Sequence, residues 1–122
     1  MKYIRTKDGK IYELQETKSK EKYLVKANEL IPLWNTTEYE IIEQANTIEE
    51  LCDAFEVTRY EGTSWFTVNT YTNFKKAYSD WYGCGYQGVT SNLYGLVNGK
   101  RVAILRGYTE GKHRDKIEME LL

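Results

Sequence analysis

Proline, histidine and cysteine are scarce in this chain of 122 residues: one proline, one histidine and two cysteines. Cys52 and Cys84 are too few for a disulfide scaffold, and in a bacterial or eukaryotic cytosol they would be reduced. A lone His113 excludes a zinc set built on histidine and cysteine, so no metal and no cofactor is expected. No apolar run approaches the roughly 18 residues needed to cross a bilayer. The opening Met1-Lys2-Tyr3-Ile4-Arg5 mixes apolar with charged residues and lacks the continuous apolar stretch of a secretory signal. The expectation is a cytoplasmic protein with no membrane partner. Charge of one sign is also missing: the net charge is −1, which gives no global attraction to nucleic acid or anionic lipid. Gly83-Cys84-Gly85 lacks the lysine and the following helix of a phosphate-binding loop, which argues against nucleotide hydrolysis.

Hydrophobic residues make up 41% and charged residues 29%, the balance of an ordinary folded protein. A single domain, 1–122, with one core is expected. Aromatics are the excess: eleven tyrosines, three tryptophans and three phenylalanines. A core this small does not need them all, and tyrosines brought to the surface suit either a wet sheet face or a contact surface. The charges are also unevenly placed. Residues 1–26 carry eight Lys or Arg against four acids, whereas residues 27–62 carry nine acids against Arg59 alone.

Two hairpins are legible. Residues 3–14 surround Asp8-Gly9, and residues 93–105 surround Asn98-Gly99, dipeptides that accept the positive φ of tight turns. Tyr23-Leu24-Val25 and Trp65-Phe66-Thr67-Val68 read as further strands, residues 38–44 as another, and residues 117–121 as a last one. Pro32 pushes Ile31 to an extended conformation. Thr47-Ile48-Glu49-Glu50 matches a capping box, and Ile48, Leu51, Cys52 and Phe55 follow at helical spacing, so a first helix is expected there. Thr72 or Asn73 can cap a second helix with Phe74, Ala77, Tyr78, Trp81 and Tyr82 on its apolar face, closing at Gly83. The fold class expected is α+β: a mostly antiparallel sheet built from N- and C-terminal hairpins with two short helices packed on it.

Three segments carry a resemblance. Arg5-Thr6-Lys7-Asp8-Gly9-Lys10-Ile11-Tyr12, the run from Ile41 through Asn46-Thr47-Ile48-Glu49-Glu50-Leu51-Cys52-Asp53, and Leu93-Tyr94-Gly95-Leu96-Val97 with the closing Glu118-Met119-Glu120-Leu121-Leu122 together resemble small uncharacterised phage and prophage proteins of low-GC Gram-positive bacteria. Residues 63–90, with two of the three tryptophans, depart from that pattern. The resemblance implies a viral accessory protein and no particular activity.

Cys84 with His113 could form a nucleophile and base, but a cysteine between glycines also reads as a tight turn and a histidine in a charged loop as solvated, so no catalytic residue is assigned. Glu49, Glu50, Asp53 and Glu56 read either as the solvated face of the first helix or, with Glu38, Glu40 and Glu43, as a negative surface that docks on a basic groove. On the second reading the partner is a bacterial host protein, such as a nucleic-acid-binding defence effector, and the chain is a non-enzymatic, anti-CRISPR-like inhibitor acting by stoichiometric binding. The alternative is a small nucleic-acid-binding module that uses Tyr71, Lys75, Lys76, Tyr82 and Tyr86 to stack bases and neutralise phosphates.

Overall fold

The two legible hairpins form, each with its own loop chemistry. In the computed structural model, which describes residues 2–26, 29–33, 41–61, 64–86, 90–108 and 120–122, Asn98 and Gly99 take φ of 53° and 77° between strands β8 (Ser91–Val97) and β9 (Lys100–Tyr108). Two successive positive φ values define the tight turn whose twist matches its strands. The first hairpin joins β1 (Lys2–Thr6) to β2 (Ile11–Glu16) by a longer loop in which only Gly9 has a positive φ, of 83°. The Gly9 amide donates to the Thr6 carbonyl at 3.0 Å and the Lys10 amide to the Thr6 hydroxyl at 3.2 Å.

The same loop recurs between β2 and β3 (Lys22–Lys26). The Lys20 amide donates to the Thr17 carbonyl at 3.0 Å, the Glu21 amide donates to the Thr17 hydroxyl at 3.2 Å, and Lys20 occupies the left-handed position at φ 62°. Strands β4 (Glu29–Pro32) and β5 (Ile41–Ala45) complete an antiparallel sheet in the order β4-β3-β2-β1-β5. Its register sets Ile4 opposite Tyr12, Leu14 opposite Leu24 and Leu24 opposite Ile31. Ile4, Tyr12 and Leu24 are buried together, with Leu14, Ile31 and Leu33 packed against them.

The chain divides into two compact units, Met1–Leu51 with Leu121–Leu122, and Cys52–Glu120. Strands β6 (Ala54–Glu61), β7 (Ser64–Tyr71), β8 and β9 of the second, with the short β10 (Glu120–Leu121) at the boundary of the two residue ranges, form a sheet in the order β10-β9-β8-β6-β7. Helix α1 (Phe74–Tyr86) packs on β6, β7 and β8. Asn73 caps it, its side-chain oxygen accepting from the Lys76 amide at 3.1 Å. Trp81 is fully buried and its indole N–H donates to the Ser91 carbonyl at 3.3 Å, so the ring's apolar area is withdrawn from water without orphaning its one donor.

The class is mostly antiparallel sheet with α on it, but the first expected helix does not form. Glu49–Leu51 is a single 3₁₀ turn, closed by the Leu51 amide on the Ile48 carbonyl at 3.0 Å. The Asp53 amide already pairs with the Leu96 carbonyl, and β6 begins at Ala54. Ile48 and Leu51 are buried by the turn, and Phe55 and Val57 by strand alternation. The helical spacing of Ile48, Leu51 and Phe55 is thus also the spacing of a turn followed by a strand; sheet pairing with β8 satisfies the backbone that a helix would have used. The second helix forms but runs past Gly83 to Tyr86. Cys84 is buried in line with Ala77 and Trp81, and this packing carries the helix one turn further than the glycine signal suggests.

Candidate functional site: an exposed aromatic hairpin

Helix α1 fixes one face of the second sheet with a ladder of rings. Phe55 meets Phe74 edge-on at 5.4 Å, and Tyr78 lies 5.3 Å from Trp81 and 6.2 Å from Tyr82. The Arg106 guanidinium stands 6.0 and 5.9 Å from the centres of Phe74 and Tyr78. Much of the aromatic excess is therefore structural. Tyr82 is the outermost rung and is exposed.

Beyond the helix, the β6–β7 hairpin keeps its largest side chains in water. The register sets Tyr60 opposite Trp65 and Arg59 opposite Phe66. Tyr60 and Trp65 share a face, with ring centroids 5.2 Å apart; Phe66, next along the strand, stands on the other. Their exposures are 39%, 49% and 50%. Clustered surface aromatics of this size are the side chains that contribute most when a protein interface closes over them. Trp65 and Phe66 were legible as strand residues, but not as exposed ones. Consecutive residues in a strand face opposite sides, and here both sides are exposed.

The four carboxylates expected on one helical face do not share a helix. Glu49 and Glu50 lie on the 3₁₀ turn of the first unit, half-buried and exposed respectively. Asp53 and Glu56 belong to the second unit, and both serve its sheet. An Asp53 oxygen accepts the Asn98 amide at 2.9 Å, bracing the β8–β9 turn. Glu56 accepts from Arg101 Nε at 2.7 Å, and that guanidinium also covers the Tyr94 ring at 4.1 Å. Glu43 is exposed on β5; Glu38, Glu40 and His113 lie outside the described residues.

The second predicted surface is partly assembled. Tyr71, Lys75, Lys76, Ser79 and Asp80 line an open groove of about 550 Å³. Lys75 and Lys76 are exposed on the first turn of α1, and Tyr82 is exposed on the same helix. Tyr86 is the helix's last residue. The Tyr71 hydroxyl donates to Asp80 Oδ2 at 2.9 Å, and this bond to a carboxylate raises the phenol's pKa above its ordinary value. Cys84 is buried, and burial first, the Asp80 charge second, pushes its thiol up. A nucleophilic cysteine needs the opposite shift. Among the described residues no group of His, Cys, Asp and Glu could hold a metal ion, and no helix is long and apolar enough to cross a membrane.

No family model, curated protein or solved structure matches this chain.

Proposed function

We propose that this chain is a binding protein that acts by stoichiometric association with another protein, in the manner expected of a phage or prophage accessory protein that blocks a host defence effector. Its contact surface is the aromatic part of the β6–β7 hairpin. The observation that supports this is the pair Trp65 and Phe66, each about half exposed beside Tyr60 on a strand with no charged residue. With each ring already about half buried, a partner closing over the exposed half would gain roughly 1 kcal/mol for each. The acidic residues are weaker candidates, since Asp53 and Glu56 already bond within their own sheet.

The test is a tagged pull-down from lysate of a low-GC Gram-positive host, with and without nuclease, using wild type and the Trp65→Ala/Phe66→Ala variant. One host protein recovered stoichiometrically by wild type despite nuclease, and lost with the variant, supports the reading. Equal recovery by both removes the hairpin from it.

A nucleic-acid-binding reading is favoured by one observation, the gathering of Tyr71, Lys75 and Lys76 around a single groove. Asp80 lies in the same groove and holds the Tyr71 hydroxyl, which places a carboxylate where phosphates would pass. A gel shift that weakens steeply with salt, and is lost in Lys75→Ala/Lys76→Ala, would establish it.

A further inference from the structure

Strands at the edge of a sheet expose a row of backbone donors and acceptors, and folded proteins blunt them with charge, proline, shortness or a bulge. Among the described strands, three of the four sheet edges are blunted by composition or length. Strand β4 carries Glu29 and ends in Pro32, β5 carries an exposed Glu43, and β10 has two residues. Strand β7 is different. It runs eight residues, Ser64-Trp65-Phe66-Thr67-Val68-Asn69-Thr70-Tyr71, without a charge, a proline or a glycine, and no described strand lies beyond it. Six of the eight are exposed and two half-buried. Its one blunting device is a bulge at Val68, between the pairs Val57–Asn69 and Thr58–Thr67, which leaves Ser64–Thr67 regularly paired with β6 on one side and with no described strand on the other.

We propose that β7 pairs antiparallel with β7 of a second copy, joining two sheets edge to edge about a two-fold axis. This rests on the reading of the β6–β7 hairpin as a protein-contact surface and supplies its first partner. The occupant follows from the strand's composition. With no charge to select a charged partner, and with aromatic and β-branched residues that pair well across strands, β7 is complementary to itself. The direction follows from its flank. Lys75 and Lys76 sit just beyond its C-terminal end. Parallel pairing would set the lysines of two copies side by side, whereas antiparallel pairing separates them by the length of the strand, about 26 Å, or some three screening lengths in physiological salt.

Edge pairing uses backbone groups and leaves the sheet faces open. It therefore brings Tyr60 and Trp65 of both copies onto one face and both Phe66 rings onto the other, doubling the aromatic surface offered to a further partner.

The experiment is sedimentation velocity on the full chain across a concentration series, with amide exchange of residues 64–71 measured at its two ends. Wild type should dimerise, with β7 exchange slowing as concentration rises and little response to salt. Thr67→Lys, an exposed position on β7, should keep the fold by circular dichroism and weaken dimerisation by about tenfold or more, because the lysine puts a charge on the open edge of each copy. A wild type that stays monomeric throughout overturns the proposal, as does a dimer that Thr67→Lys leaves intact with β7 exchange independent of concentration. Partner capture by Trp65→Ala/Phe66→Ala is read separately, so loss of the dimer and loss of the contact surface are distinguishable.

Discussion

Gly95 shows how one missing side chain sets local packing. A Cβ built there would lie 2.5 Å from the Cys52 sulfur, so the strand and the thiol share space that only glycine leaves. Gly95→Ala should destabilise the protein by roughly 1 to 3 kcal/mol in urea unfolding, the usual cost of overpacking. Combining it with Cys52→Ala should restore part of that loss, because neighbouring substitutions are non-additive when they share a contact. Additive effects would mean that the two residues do not compete for the same volume. Tyr71 offers a pH test at the same scale. Its folded pKa is raised, chiefly by the hydrogen bond to Asp80. The bond's contribution is thus complete below the ordinary tyrosine value near 10 and is lost as pH climbs through the folded value. Wild type should exceed Tyr71→Phe in stability by a constant margin near neutrality, and the margin should close at alkaline pH.

At the scale of elements, the first unit repeats one loop with two different residues in its demanding position. Gly9 and Lys20 both adopt a left-handed backbone, at φ 83° and 62°, and for lysine that conformation costs about 1 kcal/mol. Lys20→Gly should therefore raise the unfolding midpoint slightly, while Gly9→Ala lowers it by a similar amount. The Asp8-Gly9 and Asn98-Gly99 hairpins were legible because turn chemistry is local. The capping box at Thr47 was equally local and misled, since pairing of Asp53 and β6 with β8 outcompetes a helix a few residues long. Gly83 misled in the other direction, because burial of Cys84 outweighs a stop signal that is only a preference.

For the whole molecule, a net charge of −1 leaves little long-range field to steer a partner. If the aromatic hairpin carries association, the affinity for a captured host protein should change little between low and high salt. A steep loss with salt would return the weight to the acidic residues. Composition by itself determined that aromatics outnumber what a small core needs; hydrophobic pattern and turn residues determined an antiparallel β-rich α+β fold and a helix at Phe74. Those signals act over a few residues, so they survive in a single sequence. The division of the ten described strands between two sheets, and the placing of β7 at an edge, depend on pairings between residues far apart in the chain, such as Phe55 with Gly95 and Ile4 with Gln44. Only that pairing hid Phe55 and Trp81 and left Trp65 and Phe66 outside, because a strand's two faces and its edge acquire neighbours only when the sheet is complete.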